Sequence, residues 1–496
     1  MGARLEKDSM GPMRVPADVL YGASTQRAVL NFPVSGQPVP AGIVRAYALI
    51  KTACARVNAA LGRLDPAAAD SIERACDRVA HGLPEHGGWR RHFPVDVFQT
   101  GSGTSTNMNA NEVIANLVCV QLGAPIGSSK DPAYLARPGA VHPNDHVNMG
   151  QSSNDTFPTA IHVAASLAIG LELLPALHAL AQELEAKAHA WDAVVKIGRT
   201  HLMDATPIRL GQEFSGYAAQ ARQGIARLGR ALETLAELPI GGTAVGTGIN
   251  AHEEFGRRVC AELTRLCASG ERPPHAAAPQ FREAANHFEA QHAKDACVEA
   301  SGHLRTLAVS LSKIAGDVRL LGSGPRCGIG ELRLPAVQPG SSIMPGKVNP
   351  VICESVVQVC CQVMGNDHAV ALGGMGGVGS LLDLNVAMPL IARNLLESVA
   401  LLAGAARTFL DNCLRGLEPD RTRCDALIEG SLAMCTPLVT VIGYDRAAAL
   451  AQEAFTKGKT VRQLALEQRL VPAAQLDRLL DPHAMTLPGG EGSAGG

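Results

Sequence analysis

The chain has 496 residues, a net charge of −2 and only 3% aromatic residues. That length allows two or three domains with a sizeable buried core, and the charge and ring content argue against a nucleic-acid surface. The 13 cysteines include one adjacent pair, Cys360 and Cys361, and no C-x-x-C spacing, which suits reduced thiols in a cytosolic protein better than a disulfide framework or zinc site. The start, Met1–Asp8, lacks the apolar core of a secretory signal and carries acids unlike a transit peptide. The most apolar windows, such as Leu167 to Leu180, are interrupted by Glu, His or Pro. A soluble cytoplasmic protein with no membrane span is expected.

In chain order, residues 5–35 read as an irregular arm punctuated by Pro and Gly. Residues 41–83 read as helix, rich in Ala, Leu and Arg, with no breaker before Pro66. Gln99–Asn116 begins as a hydroxyl- and amide-rich loop and becomes helical, and residues 142–159 repeat that theme, with Asn154 or Asp155 placed to cap the apolar helix that follows. The plain reading of both is an elaborate helix cap. The middle of the chain is helical at length. Leu304, Leu307, Leu311, Ile314, Val318 and Leu321 alternate steps of three and four, a seam buried against neighbouring helices, and residues 387–414 look similar. This excess of apolar helix suggests that subunits share a bundle. Gly241–Gly248 does not fit a dinucleotide fingerprint. After residue 414 the texture changes to shorter helices, and the tail from Pro488 to Gly496 is expected to be disordered.

The stretch from Gly340 to Pro350, GSSIMPGKVNP, concentrates two hydroxyls, a lysine and an amide before an apolar helix. Asn349 suits the N-cap and Pro350 the first helical position. A helix start offers unpaired N–H groups and a positive dipole, and Lys347 adds a full charge, so the stretch reads as a carboxylate-binding site. Five residues separate Gly340 from Gly346 and Val348 follows Lys347, so it is not a phosphate loop. A flexible surface turn is the plainer alternative.

This run resembles the signature loop of the fumarase/aspartase superfamily, in the form carried by class II fumarate hydratases. Ser323–Glu331, Gly22–Arg27, Gln99–Asn116, His142–Thr159 and Gly198–Pro207 extend the resemblance over nearly the whole chain. It implies a mainly α, three-domain fold: residues 1–149, a central long-helix bundle over 150–417 that assembles into a tetrameric helical core, and a small domain over 418–496. It implies reversible hydration of fumarate to (S)-malate, with no metal or organic cofactor, by a homotetramer whose active sites are shared between subunits, and no nucleic-acid or membrane partner. By the same resemblance Ser341 is the base at C3, His201 handles the water proton and Glu354 orients His201. Ser102, Gly103, Thr104, Ser152, Ser153, Asn154, Thr200, Ser342, Lys347, Val348 and Asn349 bind substrate. His142, Pro143, Asn144 and Asp145 match a second dicarboxylate site, although Gly139–Val141 stand where a basic residue is often found. Tyr21 replaces a more usual Trp, and Met203 a more usual Gln.

The alternative on the same scaffold is an aspartate ammonia-lyase, against which Ser102 and Asp204–Pro207 weigh. A non-catalytic, crystallin-like helical scaffold is the reading from another class. The presence of Ser341, His201, Lys347, Asn349 and Glu354 together speaks against it.

Overall fold

The computed structural model describes residues 2–269 and 272–488, so most of the tail expected to be disordered, from residue 489 onward, lies outside the described residues. The chain is mainly α-helical, its strands confined to two-stranded pairings. It forms two compact units, one from Met1–Ala176, Gly224–Ala308 and Val359–Gly404, the other from Leu177–Gln223, Val309–Gln358 and Ala405–Gly496. Every switch of the chain between them falls inside a long helix.

The first unit opens with a hairpin, β1 (Ala3–Asp8) and β2 (Gly11–Pro16), paired antiparallel with Ala3 opposite Pro16. The irregular arm expected here is therefore partly regular. Burial alternates along both strands, with Arg4, Glu6 and Asp8 on the covered face of β1 and Leu5 exposed, and Arg4 donates to the carbonyls of Pro16, Val19 and Tyr21. β2 carries Gly11, Pro12 and Pro16, and β1 turns charged residues inward, so neither strand shows the apolar alternation by which a strand is read.

Helix α1 spans Ala23–Asn31, and the single helix expected over 41–83 is two, α2 (Ala41–Ala60) and α3 (Pro66–Ala80). Gly62 turns the chain at φ +68°. Asp65 then caps α3, its carboxylate accepting from the Ala67 and Ala68 amides, with Pro66 at the first helical position. A glycine past one helix end and a cap–proline pair at the next start is a stop and restart. Ile43, Tyr47, Ile50, Cys54 and Val57 form the buried face of α2, at steps of three and four. This helix packs on α3, on the start of α5 (Ser153–Ala190) and on α7 (Phe255–Ala268). Helix α4 (Thr104–Gln121) is buried almost throughout its middle.

The second unit holds the hairpin β3 (Val195–Thr200) and β4 (Met203–Arg209) and the start of α6 (Leu210–Leu235). It also holds portions of α8 (Asp295–Leu321), α9 (Val351–Gly374) and α10 (Met388–Phe409). The expected seam along α8 is buried from Leu304 to Leu321. Ser153–Ala190 and Met388–Leu414 are long and apolar enough to cross a membrane by length and composition, but 78% and 61% of their most apolar windows are buried inside the fold. Beyond residue 420 short helices close on a core of their own, with Met434, Leu438, Leu450, Leu464, Leu476 and Leu480 at its centre. None of the thirteen cysteines, all among the described residues, is in a disulfide.

Candidate active site

Two helix starts in the first unit converge through their hydroxyls. Gly103 precedes α4 at φ +73°, and a Cβ there would lie 1.9 Å from the Phe157 ring, so only glycine fits. That close approach brings α4 against the start of α5. Thr104 Oγ1 lies 2.9 Å from Ser102 Oγ and 2.7 Å from Ser153 Oγ. Ser153 Oγ donates in turn to Asn154 Oδ1 at 3.3 Å. Ser102 and Ser153 are buried while Thr104, the link between them, is exposed, so the chain of hydroxyls opens to solvent at its middle.

The cap of α5 is Ser152, a correction to the Asn154 or Asp155 expected from the sequence. Ser152 Oγ accepts from the Asn154 amide, and Asp155 Oδ1 accepts from the Ser152 amide to complete a capping box. Asp155 is wholly buried, and its second oxygen accepts the Gly241 and Thr243 amides at 3.1 and 2.9 Å. Burial pushes its carboxyl up to about 6, against the pull of those N–H groups and of Lys51. Asn154 Nδ2 donates to the Ala244 carbonyl at 2.8 Å. The glycine-rich block 241–248 is thus a backbone wall behind the hydroxyls.

In the second unit, Thr200 pairs with Met203, leaving His201 and Leu202 as a two-residue turn with φ +56° and +63°. Positive φ at both central residues is the pattern of a type I′ hairpin, which prefers Asn or Gly. Here bulky residues hold it, at a cost of roughly 1–2 kcal/mol each. His201 is exposed, and its imidazole makes no hydrogen bond among the described residues. The base of the hairpin is pinned instead. Arg199 makes a two-pronged pair with the fully buried Glu331, at 2.8 and 3.0 Å, and the buried Lys196 lies 3.4 Å from both Glu331 and Glu213.

The signature loop is closed at its neck and open at its tip. The Gly340 amide donates to the Lys347 carbonyl at 2.8 Å, and Asn349 Nδ2 donates to the Gly340 carbonyl at 2.7 Å. Asn349 therefore ties the loop rather than capping α9, which starts one residue later than the sequence suggested, at Val351. A Cβ on Gly340 would lie 2.6 Å from the Lys347 carbonyl oxygen, which makes that glycine part of the closure. Ser341 Oγ accepts from both the Ile343 amide (3.2 Å) and the Met344 amide (3.1 Å). Two N–H groups aimed at one hydroxyl oxygen favour negative charge on it. A cleft of about 470 Å³ is lined by Ser341, Met344, Lys347 and Val348. Ser342, Lys347 and Val348 are exposed, and Glu354 is half-buried in the first turn of α9 with no hydrogen bond to its carboxylate among the described residues.

His142 caps a π-helical turn, Pro143–Val147, that carries Asn144 and Asp145. His142 Nδ1 accepts the Asn144 and Asp145 amides at 3.3 and 3.1 Å. That nitrogen therefore carries the lone pair and is not a cationic partner for the Asp145 carboxylate, 3.1 Å away. Burial, which holds the imidazole below its usual value, agrees.

Sequence reasoning assigned no role to Lys51 or Glu331, and to Asp155 only that of a candidate cap. A signal was available for Lys51: it falls on the stripe Val44, Tyr47, Ala48, Ala55, Asn58 of an apolar helix, where a charge must be buried. Glu331 carries no comparable mark, since its partners lie 132 and 135 residues away in the chain.

With this geometry in hand, comparison with known proteins gives a consistent result. The lyase family matches residues 11–365, and the fumarase C C-terminus family matches residues 434–487. The chain is 51% identical to a class II fumarate hydratase of Corynebacterium efficiens over 487 residues, covering 97% of this chain and 96% of that one. It is 51% identical to one of Mycobacterium tuberculosis over 488 residues, with the same coverage. Among solved structures it resembles a class II fumarase of Schistosoma mansoni at a TM-score of 0.91 and 39% identity, covering 99% of this chain and all of the other.

Proposed function

Because the chain belongs to the class II fumarate hydratases of the lyase family, we infer that it interconverts fumarate and (S)-malate and that the polar turns described above share that work. The observation that carries the assignment of roles is the pair of amides on Ser341 Oγ, within the loop that resembles the family signature.

Toward fumarate, a base removes a weakly acidic proton from C3 of malate. The electron pair moves into the adjacent carboxylate as a doubly negative aci-carboxylate, and hydroxide then leaves C2. Extra negative charge is the barrier, so preorganised donors dominate catalysis. Ser341 takes the C3 proton, its alkoxide held by the Ile343 and Met344 amides and by the charge of Lys347. His201 protonates the departing hydroxide, with Glu354 orienting the ring. Ser102, Gly103, Thr104, Ser152, Ser153 and Asn154 hold one carboxylate at the hydroxyl cluster. Thr200, Ser342, Lys347, Val348 and Asn349 complete the cradle. No step calls for a metal or organic cofactor. At His142, Pro143, Asn144 and Asp145 the Asn144 and Asp145 amides are already spent on His142 Nδ1, which weighs against the second dicarboxylate site that the resemblance suggests.

The working form is a soluble, cytoplasmic homotetramer in which different subunits contribute these turns to one site. Its support is exposed apolar surface on the catalytic segments themselves: Leu202 is 76%, Met203 70% and Ile343 84% exposed. Such surface on functional loops marks a place where protein meets protein.

Purified protein mixed with malate should raise ultraviolet absorbance as the conjugated double bond forms, and ammonia release from aspartate without malate turnover would overturn the reaction assigned. For shared sites, inactive Ser341→Ala and His201→Asn proteins are dissociated, mixed and reassembled. Activity should return in the mixture; its failure to return in intact mixed tetramers would overturn the sharing.

A further inference from the structure

We propose that Lys51 is a positioning residue for substrate binding: its buried ammonium ties the start of α4, which carries Thr104, to the turn that carries Ser152–Asn154, and so sets the width of the carboxylate cradle. This rests on the assignment of those hydroxyls to a substrate carboxylate.

An ammonium has three donors and no acceptor. Lys51 is 0% exposed, and its three donors meet three amide oxygens: Asn107 Oδ1 at 2.9 Å, Asn148 Oδ1 at 3.0 Å and Gln151 Oε1 at 2.8 Å. These come from two segments. Asn107 lies on α4 one turn beyond Thr104, and Asn148 and Gln151 belong to the turn that enters Ser152. The two segments are also cross-linked around the same point, since Asn148 Oδ1 accepts Asn107 Nδ2 at 3.1 Å and Asn111 Nδ2 at 3.2 Å. Thr156 Oγ1 approaches Asn107 Oδ1 at 3.4 Å.

A buried ammonium is costly, and the usual remedy is a carboxylate in contact. Here the cage is neutral, so the charge is not cancelled at its source and its field reaches the hydroxyls one helical turn above. The charged and titratable groups that face it are Asp155 on α5, Cys54 on its own helix, Cys76 on α3 and the Tyr47 ring at 5.8 Å. Asp155 is spent on the backbone amides of Ser152, Gly241 and Thr243. Burial lowers the Lys51 ammonium to about 8, opposed by Asp155 and the thiols. The ammonium should therefore give up its charge, and one of its three N–H donors, on the alkaline side of neutrality.

The test is Lys51→Met, which keeps most of the length of the side chain and removes its charge, assayed as the assembled enzyme with fumarate and with malate. KM should rise about tenfold or more while kcat falls less, as expected when a binding geometry is displaced. Wild-type KM should climb above about pH 8 and that climb should be missing in the variant, a change that loss of packing alone would not produce. Unchanged KM with an unchanged alkaline limb would overturn the proposal. Should Lys51→Met fail to fold, Gln151→Leu removes one acceptor from the half-buried side; it should raise KM several-fold, and a wild-type KM that stays flat above pH 8 is then the overturning result. Thr104→Val separates the two levels of inference. If it leaves KM unaltered, the carboxylate assignment fails; if it raises KM and Lys51→Met does not, only Lys51 loses its role.

Discussion

The hydroxyl cluster and the signature loop are both polar turns leading into helices, yet they are built in opposite ways. Around Ser102, Thr104 and Ser153 nearly every polar atom is committed: hydroxyl to hydroxyl, cap to amide, Asp155 to three backbone N–H groups, Lys51 to three amides. At the tip of the 340–349 loop and on the 200–203 turn, Lys347 and His201 stand exposed and uncommitted among the described residues, while the neck of the loop, the Ser341 hydroxyl and the base of the hairpin are fastened. The first region is preorganised by its own chain. The second is a set of side chains held out on rigid stems, which suits groups that must meet substrate late or from another subunit. The division also says where stability and activity part company: substitutions at the exposed tips should cost turnover and leave folding alone, while substitutions at stems and buried ties should do the reverse first.

The largest expected effect is at a tip. Ser341→Ala should lower kcat by about a thousandfold with the melting temperature unmoved, measured by malate turnover and a thermal melt on the same preparation. A clear fall in melting temperature would show that the loop is structural and erase the contrast. At a stem, Glu331→Gln leaves Arg199 and Lys196 short of a buried counter-charge and should cost about 3 kcal/mol in a urea titration, with the activity loss following from the loosened His201 hairpin. If stability is untouched, the pin is not the anchor described. Leu202→Gly should stabilise the dissociated subunit by about 1 kcal/mol, by removing a side chain from a left-handed turn position, and weaken the assembly; an assembly as stable as before would remove Leu202 from the subunit contact.

The smallest effect is a slope. The folded value of Asp155, about 6, lies above its unfolded value near 3.8, so the native state binds more protons across that window. Its contribution to stability is full below about 3.8 and is lost as pH rises to about 6. The stability difference between wild type and Asp155→Asn should therefore move against the wild type from pH 4 to pH 6, read as melting temperature against pH. A difference that is flat with pH would remove Asp155 from the buried ties.

By itself the sequence determined the helical class, the buried seam of α8 from Leu304 to Leu321, and the turns rich in Ser, Thr, Asn and Gly where polar chemistry concentrates. Periodicity and turn composition are local properties, written within a few residues of where they act. It also carried the five family-like blocks that point to fumarate and malate. It missed the β1–β2 hairpin and the break between α2 and α3, because short-range breaker signals pull against one another over so few residues. Only the tertiary structure decided that Thr104 and Ser153 touch, that Asn349 closes a loop instead of capping a helix, and that Lys51 and Glu331 are buried hubs. Those facts depend on partners far apart in the chain, whose burial is settled by packing: a charge on an apolar stripe can be read as buried from the sequence, but what it is buried against cannot.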